Sequence, residues 1–205
     1  FMPGKEMVDL GEPASHIATG AGYTCAVVTQ GRVTCWGRNH YGQLGYGHTE
    51  PIEVTPADAA GTTGPPGRES LGGYVQFGGG SGGVVQITPI TLGQAMCARF
   101  DGGAVRCWGN NDDGQLGYGH TDTLGTFKTP EELVVGDEGG EVALGGAAVA
   151  LADGGRCALM TPPATSKDRR PPLYCWGENG YGQLGLNRGD VSEFTPIELG
   201  PVFWR

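Results

Sequence analysis

One eleven-residue string constrains this chain more than any other feature. "CWGRNHYGQLG" at 35–45 returns as "CWGNNDDGQLG" at 107–117 and as "CWGENGYGQLG" at 175–185. Eight of the eleven positions are the same each time: Cys, Trp, Gly, Asn, Gly, Gln, Leu and Gly. A string that recurs at intervals of roughly seventy residues marks a supersecondary unit used three times, so the fold follows from that unit and its packing on its neighbours.

The order inside each unit is regular. A short apolar piece ending near glycine comes first ("HIATG", "PITLG", "VALADG"), then a strand with the first cysteine ("TCAVVT", "MCARF", "RCALM"). A turn leads to a strand with the second cysteine and the tryptophan ("RVTCWG", "AVRCWG", "LYCWG"), then the Asn-x-x-Gly-Gln-Leu-Gly loop, then an extended "PIEV", "ELVV" or "PIELG". Four short strands per unit with glycine-marked turns describe a propeller blade, and no segment carries a sustained helical period. The expected fold is all-β: three four-stranded antiparallel β-propeller blades, incomplete or part of a larger propeller. Blade 1 is placed at 1–57, blade 2 at 84–140 and blade 3 at 141–205. Residues 58–83, with ten glycines in 26 positions, form an insertion or linker.

The cysteines fall into three pairs, Cys25/Cys35, Cys97/Cys107 and Cys157/Cys175, with 9, 9 and 17 residues between the members. All three counts are odd, and the third exceeds the others by an even number. Side chains alternate faces along a strand with period two, so all three pairs can share one cross-strand register, with "PPATSKDRRPPL" only lengthening the third turn. Gln30-Gly31 centres the first turn and Asp101-Gly102-Gly103 the second. Three cross-strand disulfides are expected; the close CxxC ligand pairs that zinc prefers do not occur in the sequence. Such bonds imply an oxidising, extracytoplasmic compartment: secreted, periplasmic or cell-surface.

Each repeated residue has a physical task. Gly37, Gly109 and Gly177 let the chain bend away from the strand. Asn39, Asn111 and Asn179 suit a tight turn by bonding nearby backbone, and Gln43, Gln115 and Gln183 tie the loop. Leu44, Leu116 and Leu184, with Trp36, Trp108 and Trp176, are expected to pack blade on blade. The motif therefore builds a scaffold.

"CWGxNxxGQLGxG" resembles the repeat of the regulator of chromosome condensation family, over three units and most of the chain outside 58–83. The resemblance implies a β-propeller, typically seven-bladed. It also implies a choice among diverse roles: nucleotide exchange on a small GTPase with chromatin binding, ultraviolet reception in plants, or secreted bacterial inhibition of β-lactamase. Fold alone does not choose among these. The family often has His before the core position of the second strand, where this chain has Thr24, Met96 and Arg156. The cysteine-paired units are closest in style to the secreted bacterial members.

Composition narrows the roles. Thirteen Lys and Arg against 22 Asp and Glu give a net charge of −9, which disfavours phosphate backbones, so no nucleic-acid partner is expected. No apolar run reaches the roughly 20 residues of a membrane span, and the first residues lack a signal-peptide pattern. His48 and His120 share "YGHT", but the third unit reads "LNRG", so no ring of metal ligands is implied. Asn110, Asn111, Asp112, Asp113 and Asp122 lack the spacing of a calcium loop. No nucleophile elbow or phosphate loop is present. No catalytic residue, metal or cofactor is assigned. The expected function is a non-enzymatic protein-interaction or self-assembling module, with an accessory or inhibitory binding domain of a longer secreted protein as the alternative. Candidate partner contacts are the proline-framed basic loop with Lys167, Arg169 and Arg170, and the aromatics Tyr74 and Phe77. The apolar Val202, Phe203 and Trp204 call for cover by another blade, from a longer parent chain or a second copy.

Overall fold

The computed structural model describes residues 8, 10–53, 73–77, 82–90, 93–126, 140–152, 154–162, 164, 171–185 and 193–199. Lys167, Arg169, Arg170, Val202, Phe203, Trp204 and the "ELVV" run lie outside them.

Alternating apolar residues and left-handed turns give three antiparallel sheets in chain order. The first runs β1 (Ala14–Thr19), β2 (Tyr23–Val28), β3 (Val33–Gly37), and the second β4 (Val84–Ile90), β5 (Ala95–Phe100), β6 (Val105–Gly109). The third contains β7 (Ala148–Leu151), β8 (Cys157–Met160), β9 (Leu173–Gly177) and β10 (Glu193–Leu199), with neighbours in the order β10-β9-β8-β7. Gln30 and Gly31 both take positive φ, 61° and 68°, as the tight turn between β2 and β3 requires.

The cysteine register follows. Cys25 faces Cys35, Cys97 faces Cys107 and Cys157 faces Cys175. In each pair the Cα atoms are 4.1 Å apart and the sulfurs are bonded. The longer third turn closes where Met160 N–H donates to the Pro172 carbonyl at 2.8 Å, so its added residues leave the register intact.

Among the described residues only the third sheet has a full fourth strand. In the first two sheets that place is held by single-residue bridges, Gly37 to Ile52 and Gly109 to Leu124. Ile52 exchanges two backbone hydrogen bonds with Gly37, and Leu124 does the same with Gly109.

The sheets stack face to face, and the core lies between them. Val27, Val33 and Cys35 of the first sheet meet Ile87, Met96, Phe100 and Trp108 of the second. The reverse face of the second sheet, with Cys97, Val105 and Cys107, meets Leu151, Met160 and Trp176 of the third. The first strands lie closest together. Gln86 exchanges two side-chain bonds with the Leu151 backbone (2.9 and 3.0 Å), and His16 Nε2 lies 3.0 Å from the Ile87 carbonyl.

Candidate functional site

The repeated motif spends its residues on structure, and the geometry is the same from unit to unit. The chain leaves β3 at Gly37 with φ 106°, where a Cβ would fall 2.4 Å from the Gly22 carbonyl oxygen, so no other residue fits. The fully buried Asn39 carboxamide then holds the loop. Its Nδ2 donates to the His48 and Glu50 carbonyls (2.7 and 3.0 Å), and its Oδ1 accepts from Leu44 N–H (3.0 Å). Asn111 repeats this with the His120 and Asp122 carbonyls and Leu116 N–H. Asn179 Oδ1 accepts from Leu184 N–H at 3.0 Å. The glutamine Oε1 atoms accept the backbone N–H two residues earlier in all three loops, at Tyr41, Asp113 and Tyr181.

Between units the motif works as plug and socket. The Trp108 indole N–H donates to the Gln43 carbonyl of the preceding loop at 2.9 Å, and Trp176 donates to the Gln115 carbonyl at the same distance. A Cβ on Gly45 would stand 2.9 Å from the Trp108 indole nitrogen, and one on Gly117 the same distance from that of Trp176, so glycine makes room for the ring. Leu44, Leu116 and Leu184 are all buried. One tyrosine completes each socket. The Tyr46 hydroxyl donates to the Cys35 carbonyl and accepts from Cys35 N–H, and Tyr118 does the same at Cys107. Burial pushes both phenols well above their ordinary range, so they stay protonated donors.

What the motif leaves free is its variable positions. Arg38, His40 and Tyr41, then Asp112 and Asp113, then Gly180 and Tyr181, are exposed at the same end of successive sheets, Tyr181 by 94 %. Two hollows open there. One of about 350 Å³ runs across all three sheets, lined by Thr19, Gly20, Pro89, Ile90, Gly93 and Gly154. The other, of about 110 Å³, lies between the second and third sheets, with Asn110, Asp112, Asp113, Gln115, Arg156 and Glu178 in its wall. Arg156 sits half-buried with Glu178 at 3.8 Å. Burial pulls its guanidinium below the usual range, against the opposing pull of Glu178 and Asp113. The wall thus carries both signs of charge on a rigid frame, which suits recognition of a polar surface.

Two candidate contact residues go elsewhere. Phe77 is packed against Phe100 and Trp108 at centroid distances of 5.2 and 5.3 Å, wedged between the first two sheets. Tyr74 lies under the Arg32 guanidinium at 4.4 Å and donates to Glu12. The reason is Val75. Its N–H donates to the Val33 carbonyl at 2.8 Å, as Val142 N–H does to Val105, and so draws the end of the glycine-rich segment into the core. The Tyr-to-strand bonds and this valine clip escaped the sequence reading, although "LGYGHT" repeats in two units and marks the tyrosine. His48 and His120 stack on Tyr46 and Tyr118, and Asn110 and Asp112 bond each other. No grouping of three His, Cys, Asp or Glu that would hold a metal occurs among the described residues.

Known proteins match this arrangement. Two models of the regulator of chromosome condensation (RCC1) repeat match residues 14–43, and 30–68 with 172–202. The chain belongs to the RCC1 repeat family. It is 30 % identical over 178 residues to the human E3 ubiquitin-protein ligase HERC2, covering 85 % of this chain and 3 % of that protein. It is 32 % identical over 166 residues to the bovine secretion-regulating guanine nucleotide exchange factor, covering 80 % and 28 %. This RCC1-repeat chain therefore spans a small part of the curated relatives it matches. Among solved structures, Prp20p from Saccharomyces cerevisiae superposes with a TM-score of 0.57 at 17 % identity, over 92 % of this chain and 38 % of that one. Yeast RCC1 (Prp20) in its complex with Kap60 gives 0.56 at 15 %. These likenesses establish the β-propeller fold.

Proposed function

We propose that this RCC1-repeat chain is a non-enzymatic, disulfide-stapled β-propeller segment that binds another protein through its loop rim. The observation that carries this reading is the division of labour within the motif: the repeated asparagines and leucines are buried, the asparagines and glutamines bond loop backbone, and most of the variable positions are exposed together at one end beside two hollows. The described structures of Prp20p concern its binding to Gsp1p and histones and its complex with Kap60, so protein recognition is a use to which this fold is put. The short coverage of the relatives favours a binding domain within a longer protein as the form in which this segment works. The test is loss of partner binding in a rim variant that keeps its fold.

The compartment we propose is extracytoplasmic, because three cross-linked hairpins need an oxidising environment to persist. Protein from its native source, alkylated without reductant and read by mass spectrometry, should carry no label on any of the six cysteines. Full labelling of any pair removes this argument.

A further inference from the structure

The repeat prescribes the frame of each interface between sheets, and the second interface fills that frame with charge. Asp112, Asp113, Arg156 and Glu178 line its hollow of about 110 Å³. The corresponding places in the first interface are His40, Tyr41, Met96 and Asn110, without a carboxylate among them, and Met96 is fully buried. The hollow is on the scale of one side-chain head group, well below the roughly 300–1,000 Å³ of a small-molecule pocket.

Its wall is held in place by the loop beneath. Asn110 Nδ2 donates to Asp112 Oδ2 at 2.8 Å, Gln115 Nε2 donates to Asn110 Oδ1, and Gln115 Oε1 accepts from Asp113 N–H at 2.8 Å. The Arg156 stem crosses Gly177, where a Cβ would stand 3.1 Å from its Cδ. The amides are thus taken up by the loop itself. The carboxylates are not. Among the described residues neither the Asp113 nor the Glu178 carboxylate accepts a hydrogen bond, and the Arg156–Glu178 ion pair stands at 3.8 Å. Three carboxylates against one guanidinium leave surplus negative charge at a rigid mouth, in a chain whose net charge is −9. Acceptors without donors and surplus negative charge call for the same thing, a cation that donates hydrogen bonds.

We propose that this hollow receives the side chain of a lysine or arginine projecting from the protein that binds the rim. The assignment rests on the rim reading above and adds its chemistry. The ammonium or guanidinium donates to Asp113 and Glu178, with Asp112 beside them and Arg156 holding Glu178 at the wall. A partner's carboxylate would meet the surplus of like charge, and an apolar side chain would strip water from all four charged groups without pairing any.

Isotope-edited NMR of the full chain with acetylated, amidated tetralysine tests this, with tetraglutamate as the control. Tetralysine should shift the Asn110 and Gln115 side-chain amide signals saturably and leave those of Asn39 and Gln43 in place. Tetraglutamate should shift none of them. Asp113→Asn combined with Glu178→Gln should weaken tetralysine binding roughly tenfold, with the circular dichroism of the wild type. Should the double variant fail to fold, Asp113→Asn alone replaces it, with a loss of about threefold. Asp122→Asn removes an equal charge from a side chain that is 86 % exposed and outside the hollow, and should change the affinity less than about twofold. Shifts induced by tetraglutamate, no saturation with tetralysine, or equal losses in Asp113→Asn and Asp122→Asn overturn the proposal. Each of these outcomes leaves partner binding at the rim untouched, because that reading falls only if a folded rim variant keeps its partner.

Discussion

Trp108→Ala should destabilise the chain by about 4 kcal/mol, the largest effect of any single substitution in the motif. The ring is fully buried between the first two sheets, lies edge-on to Phe77 at 5.3 Å, and donates its only polar hydrogen to the Gln43 carbonyl. Truncation leaves a cavity that cannot collapse, because Gly45 offers no side chain to fill it, and leaves the Gln43 carbonyl without its indole donor. The same change at Trp36, on the face with no preceding sheet among the described residues, should cost about half as much or less in dilute protein. Chemical denaturation of the two variants checks the contrast. Equal losses would mean that the tryptophan serves its own sheet rather than the contact between sheets.

Asn111→Ala should cost about 3 kcal/mol, or roughly 10 °C in Tm, although it removes only a carboxamide. The amide serves three backbone groups at once: the Leu116 N–H and the His120 and Asp122 carbonyls. The Leu116 N–H, beside a fully buried side chain, is cut off from replacement water. Asn111→Asp is the informative companion. It keeps the acceptor for Leu116 but turns an oxygen toward two carbonyl oxygens, so it should be no better than alanine. Recovery of stability in Asn111→Asp would show that the donor half of the amide does little.

How much of this was legible beforehand depended on whether the signal was local. The hairpin register was, because parity between paired cysteines is a property of sequence spacing, and so was the turn at Gln30-Gly31. The tasks of Asn39 and Gln43 inside their own loop were readable for the same reason. The partner of the indole was not. That Trp108 meets the Gln43 carbonyl joins residues 65 apart, and nothing in either repeat names the other. Phe77 misled for a related reason: among glycines it looks available, and only the Val75 bond to Val33 shows that it is drawn into the core.

The division of the motif into residues that build and residues that bind is tested most directly by changing the second set alone. A variant carrying Arg38→Ser, His40→Ser, Asp112→Ser, Asp113→Ser and Tyr181→Ser alters only exposed positions of the rim. Its affinity for a partner first identified by cross-linking to the wild type should be measured beside its thermal unfolding. The account predicts at least a roughly tenfold loss of affinity with Tm within a few degrees of the wild type, since surface changes of this kind cost little stability. Unchanged binding by the folded variant would contradict it.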